Sequence, residues 1–300
     1  MINDHFMPPL RLVINHECNG SCFFCHREGN ESVQDMSMDV LSECIEAVNK
    51  LHIRQVSLTG GEPTLKEELP SMINEISSRC KDVKVSLTTN GYNLAVAASK
   101  IKSVIYGINL SVISFQPNLA EKYQYVEPDK AFDRLEQFPA DNKTVNVMIT
   151  EDNYLEINQF RDFCAEKGYD LDLMFLNRHD KEYVRIQRKV LDELARMGKA
   201  QIILQSTPVM WIKAAEKSHI RVKHPFLSKL LCRDICSGCL KKEGCFERVC
   251  AVRVYGDGSV SPCLSKHIQA GIATRTSDRI EEIYKILDNT EGFYDFFFAV

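Results

Sequence analysis

Three cysteines, Cys18, Cys22 and Cys25, crowd into the eight-residue stretch Cys-Asn-Gly-Ser-Cys-Phe-Phe-Cys. Thiolates spaced so closely in one loop close on one small object, a soft metal ion or an iron–sulfur cluster. A 4Fe–4S cluster has four irons, so three local ligands leave one iron open to a substrate unless a fourth protein atom arrives. The neighbouring His26 keeps a second reading open, a closed Cys3His zinc site. Downstream, Gly60-Gly61-Glu62-Pro63 follows the β-like run 53–58 and precedes a helical pattern. Glycines there let backbone approach a ligand closely, and Glu62 can accept hydrogen bonds from a cationic amine. Its plainer alternative is a carboxylate at a helix start.

A second group, Cys232, Cys236, Cys239, Cys245, Cys250 and Cys263, crowds the C-terminal part of the chain. Few apolar residues there could build a core, so a metal-stapled module is expected. Zinc held by Cys236, Cys239 and two later cysteines is the alternative. The six exceed the four that one cluster needs, and their spacing does not select the ligands. Gly256-Asp257-Gly258 marks a hairpin turn between Cys250 and Cys263. Cys44, Cys80 and Cys164 fall singly in helical or helix-end positions, where cysteine behaves as a small buried apolar residue.

The elements that must position these residues follow from periodicity. Runs at 10–15, 53–58, 83–88, 104–113, 143–149, 171–176 and 201–204 read as strands. Helical patterns cover 37–51, the stretch after Thr64, the stretch after Asn153, and 180–197; Gly168 makes a natural stop. Thr64 with Glu67, and Asn153 with Glu156, read as caps. Strands alternating with helices imply parallel pairing and right-handed crossovers. The expected fold is α/β, a partial (β/α)6 TIM-like barrel over residues 1–217 with a small metal-stapled extension over 218–300. In such barrels chemistry sits on the loops leaving the C-terminal ends of strands. The cysteine loop, 60–63 and the turn 88–91 each occupy that position.

The chain has 300 residues, 37 Lys+Arg against 41 Asp+Glu, and a net charge of −4. No basic tract suits a nucleic-acid backbone, so no such partner is expected. No apolar run approaches membrane-span length, and the opening residues lack a secretory pattern. A cytoplasmic protein without a membrane partner is expected. Its 12 cysteines then argue for metal and not for disulfides.

Together the three-cysteine loop and Gly60–Pro63 resemble the radical S-adenosylmethionine superfamily. The resemblance implies an open iron chelated by the amino and carboxylate groups of the methionine moiety, with Gly60, Gly61 and Glu62 holding the amino group. It also implies Phe24, Thr89, Asn90, Ser111 and Leu176 on the cofactor side. A flavodoxin or ferredoxin would donate an electron, and cleavage would give a 5′-deoxyadenosyl radical that takes hydrogen from a substrate. Cys22-Phe-Phe-Cys-His-Arg-Glu-Gly29 and Asp257-Gly-Ser-Val-Ser-Pro-Cys-Leu264 are similar to the GTP 3′,8-cyclases of molybdenum-cofactor synthesis. In that family a second 4Fe–4S cluster, in the C-terminal part, helps bind the purine. Arg11, Thr88 and Arg253 match family contacts to GTP. Ser57, Thr144 and Ala251 stand where the family carries basic residues, and its C-terminal Gly-Gly is absent. A triphosphate needs several cations, so the expectation is a cyclase-like enzyme acting on a less anionic small molecule. The alternatives are a SPASM-type peptide-modifying maturase, GTP 3′,8-cyclase activity itself, and a non-catalytic zinc or electron-carrier protein. Trp211, His219 and His224 read as packing residues or isolated histidines.

Overall fold

The computed structural model describes residues 8–25, 34–123, 126–176, 178, 180–197, 200–204, 208–223, 251–263 and 275–288. His26, Arg27 and Glu28 lie outside these residues, as do His224 and Cys232, Cys236, Cys239, Cys245 and Cys250.

Six strands pair in sequence order, all parallel: β1 (Leu10–Val13), β2 (Gln55–Thr59), β3 (Lys84–Thr89), β4 (Ile105–Ser111), β5 (Ala140–Ile149) and β6 (Asp170–Phe175). The crossovers carry α1 (Met38–Leu51), α2 (Leu69–Arg79), α3 (Leu94–Ala98), α4 (Pro117–Lys122) with α5 (Pro128–Gln137), and α6 (Ile157–Lys167). Each strand reads apolar, polar, apolar, because its two faces meet different surroundings. Leu12, Leu58, Leu87, Ile108, Val145 and Leu171 are buried in one continuous core. Their alternates, Arg11, Ser57, Thr88, Asn109, Ser111 and Asn146, are only partly covered. Right-handed crossovers place every helix on the apolar side, so the polar face is the inner wall of a partial barrel.

Local chemistry sets the boundaries. Ser37 caps α1 by accepting from the Val40 N–H at 3.2 Å, and Gly168 ends α6 in a left-handed conformation, φ 68°. Neither of the other two expected caps forms. Thr64 donates its hydroxyl to Glu62 at 2.6 Å, and α2 begins only at Leu69 with no side-chain cap. Asn153 turns inward, donating to Ile113 O at 2.6 Å and Met148 O at 2.9 Å. A short 3₁₀ turn, Tyr154–Glu156, therefore intervenes before α6 and leaves Leu155 exposed and off the apolar face.

The seventh expected strand does not continue the parallel series. After α7 (Lys181–Met197), strands β7 (Ala200–Leu204), β8 (Pro208–Ala215) and β9 (Ser218–Lys223) form an antiparallel meander. It joins the sheet through β9, which runs parallel to β6. At the opposite edge β10 (Val252–Val254) lies parallel to β1 and folds back as β11 (Val260–Ser261). The hairpin expected about Gly256–Gly258 is present, with Gly258 at φ 78°. The division expected at 217/218 falls in the β8–β9 turn, and β9 to β11 belong to the same sheet. Helix α8 (Thr276–Asp288) packs on α1, where Lys50 meets Glu281 at 2.6 Å. No helix among the described residues is long and apolar enough to cross a membrane.

Candidate active site

The cysteine loop leaves the C-terminal end of β1 and rests on the loop that leaves β2. The Gly61 N–H donates to Asn15 O at 3.0 Å, and the Glu62 N–H to Glu17 O at 2.7 Å. These contacts explain the glycines. A Cβ on Gly60 would stand 2.1 Å from Asn15 Oδ1, and one on Gly61 would stand 2.1 Å from Glu17 O. The close approach that they permit is to the cysteine loop itself. Asn15 reinforces the seam by donating to Glu62 O at 2.9 Å.

Glu62 is buried, at 1 % exposure, and its carboxylate is the hub of the rim. One oxygen accepts from the Thr64 N–H at 3.0 Å and from the Thr64 and Thr89 hydroxyls; the other accepts from the Asn90 N–H at 2.7 Å. Burial raises its pKa, and these four donors oppose the rise. Glu62 is thus the cap of the 3₁₀ turn Pro63–Leu65 as well as a carboxylate at the site, so its two sequence readings coexist. Asn90 extends the network, donating to Asn19 in the cysteine loop at 2.9 Å.

Cys18 and Cys25 are exposed and Cys22 is partly so. A Cβ on Gly20 would have Cys18 Sγ at 3.6 Å and Cys22 Sγ at 3.7 Å, so both thiols flank that turn. Burial, more than the nearby charges of Glu62 and Cys25, raises the Cys18 pKa, and the Gly20 N–H opposes it. Among the described residues no three His, Cys, Asp or Glu side chains converge on a single ion-sized point. Three sulfurs on the rim, beside a carboxylate hub, fit the donor set of a three-thiolate 4Fe–4S cluster. Phe24 packs on the core edge beside Phe23 and Tyr123. Tyr123 also accepts from the Ser21 N–H at 3.1 Å and donates its hydroxyl to Asp152 at 2.9 Å. Sequence reading missed this tether, since nothing local marks a tyrosine that acts on a loop a hundred residues earlier.

Thr89 and Asn90 meet Glu62 directly, and Ser111 closes β4 on the same inner face. Leu176 follows β6, its N–H donated to the Tyr183 hydroxyl at 2.7 Å. Arg11 and Arg253 are register neighbours on β1 and β10 and so share the inner face; Arg253 is buried and donates to Ala251 O at 3.3 Å. Thr88 lies on β3, two strands from Arg11, accepting from Asn109 at 3.4 Å. Ser57 sits beside Arg11, and Thr144 accepts from Arg221 at 3.1 Å. Arg221 is the inner-face cation that sequence reading missed, although the alternation His219-Ile220-Arg221-Val222 carries its signal. Cys263 follows β11 away from the rim. Cys44 and Cys164 lie buried in helices and Cys80 buried at a helix end, and burial raises all three thiols.

The profile of the radical SAM superfamily matches residues 12–164. A probable GTP 3′,8-cyclase of Sulfurisphaera tokodaii is 29% identical over 276 residues, covering 85% of this chain and 80% of that protein. Two solved structures share the fold. Streptococcus suis SuiB bound to its precursor peptide SuiA has a TM-score of 0.61 at 15% identity, covering 96% of this chain and 66% of SuiB. AnSMEcpe with bound AdoMet has a TM-score of 0.58 at 17% identity, covering 95% and 82%.

Proposed function

Because the chain belongs to the radical SAM superfamily, whose members hold a 4Fe–4S cluster and S-adenosylmethionine, we propose that it takes hydrogen from a small molecule less anionic than GTP. Cys18, Cys22 and Cys25 would hold the cluster. Glu62, with Gly60, Gly61, Thr89 and Asn90 around it, would hold the amino group of the methionine moiety. Phe24, Ser111 and Leu176 lie on the same rim for the rest of the nucleoside. When bound, the pair supplies one-electron cleavage of the sulfonium and a 5′-deoxyadenosyl radical. The chain itself orients the nucleoside on the rim, keeps the substrate on the inner face and excludes water.

The observation that carries the substrate reading is the cation count of the inner face among the described residues. Arg11 and Arg253 stand there as register neighbours. Ser57, beside Arg11, is neutral, and so is Thr144; Arg221 is already paired with Asp172. Each missing charge-assisted contact forfeits about 1.5–3 kcal/mol. A second, auxiliary cluster at the far mouth of the barrel is supported by Cys263, which follows a strand running back from the rim; Cys232, Cys236, Cys239, Cys245 and Cys250 would supply its other ligands. A flavodoxin- or ferredoxin-type protein would supply the electron. Anaerobic reconstitution followed by a dithionite-driven 5′-deoxyadenosine assay tests the chemistry. Micromolar GTP affinity by isothermal titration would overturn the substrate reading.

A further inference from the structure

The turn between Cys18 and Cys22 is gripped at two points, one on each side of Gly20. Asn19 accepts from Asn90 at 2.9 Å, on the side of Glu62. The Ser21 N–H donates to Tyr123 O at 3.1 Å, on the side of β4 and β5. This second grip has its own anchor. The Tyr123 hydroxyl donates to Asp152 at 2.9 Å, and Lys122 donates to the same carboxylate oxygen at 2.7 Å. Asp152 follows β5 in a loop that is braced on both sides of it. Glu151 pairs with Arg178, and buried Asn153 donates to Ile113 O and Met148 O. The Tyr123 ring is buried and lies 5.7 Å from Phe23 and 6.3 Å from Phe24, centroid to centroid. Those two phenylalanines are what separates Cys22 from Cys25. One tyrosine thus meets the cysteine loop through its carbonyl and its ring, and meets the β5 loop through its hydroxyl.

We propose that Tyr123 and Asp152 are positioning residues for the rim thiols: together they form a strut that holds Ser21, Phe23 and Phe24 in place before a cluster binds. The proposal rests on the reading of Cys18, Cys22 and Cys25 as cluster ligands and says what aims them. A short loop with exposed thiols has few buried contacts of its own, so the contacts at its edges decide how often it opens. Ligands already in place need less ordering when they bind, and partners that orient ligands typically contribute about 10–100-fold to metal affinity. Lys122 and the Tyr123 hydroxyl both lower the Asp152 pKa, and an ionised acceptor makes the stronger hydrogen bond. The seam at Gly61 and Glu62 fixes the loop before Cys18, whereas the strut fixes its Cys22–Cys25 half. The two supports come from different segments, so one can be cut without the other.

The test uses the full-length chain, before and after anaerobic reconstitution, as the parent and as Tyr123→Phe, Asp152→Ala and Asp152→Asn. Hydrogen exchange at the Ser21 amide, read by mass spectrometry, follows the loop without a cluster. The rate at which a chelator removes iron follows the loop with one. Tyr123→Phe and Asp152→Ala should each speed Ser21 exchange about fivefold and iron release about tenfold, with the thermal midpoint within about 3 °C of the parent. Asp152→Asn keeps an acceptor for the hydroxyl and should stay near the parent in both rates. Tyr123→Phe combined with Asp152→Ala should be no faster than either alone, because the two residues make one strut. Unchanged Ser21 exchange, unchanged iron release, an asparagine variant as fast as the alanine one, or additive effects would each overturn the proposal. A parent that binds no iron yet shows the expected exchange rates would count against the cluster and for the strut.

Discussion

At the scale of the residue, Glu62 joins structure to chemistry. Its carboxylate satisfies two backbone N–H groups and two hydroxyls from two segments of the rim. Glu62→Ala would leave these buried donors without an acceptor, at about 1–3 kcal/mol for each that water cannot reach. Urea unfolding of the apo-protein should therefore show a loss of about 3 kcal/mol or more, and a smaller one for Glu62→Gln, which keeps one oxygen. An unchanged apo-stability would confine Glu62 to ligand binding. Asp172 supplies a second prediction. Burial raises its carboxyl to about 6, against the opposing pull of Arg221, whereas an unfolded aspartate titrates near ~3.9. Between those values the folded chain holds a proton that the unfolded chain has released. The contribution of Asp172 to stability is thus present in full below the lower value and lost as pH rises through the higher one. The stability of the parent minus that of Asp172→Asn should fall between pH 4 and 6.5 in paired denaturation curves. A flat difference would mean that Asp172 titrates normally.

At the scale of the element, what could be read from the sequence followed the strength of each pattern. Helix α1 was legible because five apolar positions recur at helical spacing behind a serine cap. Helix α5 was not, since Ala131, Phe132 and Leu135 are its apolar anchors among charged residues. Strands β8 and β9 form a local meander with β7, and short alternation alone does not say that it docks on β6 through β9. The pair Gly60-Gly61 stands out in the sequence, but a sequence does not show which backbone such glycines admit. That backbone is the root of the cysteine loop, and it yields a prediction for the loop as a unit. Gly61→Ala would drive a Cβ to 2.1 Å from a carbonyl oxygen, and in a close-packed seam the loop must move. Iron retained by the rim cysteines should drop several-fold while far-ultraviolet dichroism is unchanged. Full iron content in Gly61→Ala would show the seam to be slack.

At the scale of the molecule, strand direction decides where Cys263 sits relative to the cysteine loop. Strand β10 runs with β1, so the tip of its hairpin reaches the rim; a Cβ on Gly256 there would stand 1.7 Å from the Gln34 carbonyl, just past the cysteine loop. Strand β11 runs back, pairing Ser261 with Arg253, and carries Cys263 toward the opposite mouth. On the proposed reading, a substrate on the inner face would lie between the rim cysteines and Cys263. Two such separated sites should fail independently. The reconstituted parent is expected to hold about eight irons, four in each cluster. Cys263→Ala should retain about four and still yield 5′-deoxyadenosine under dithionite, because the rim site is untouched. Alanine at Cys18, Cys22 or Cys25 should abolish that product and leave the other four irons in place. Loss of all iron from Cys263→Ala would show that the two ends of the barrel assemble as one unit, and would return the C-terminal cysteines to a structural role in the fold.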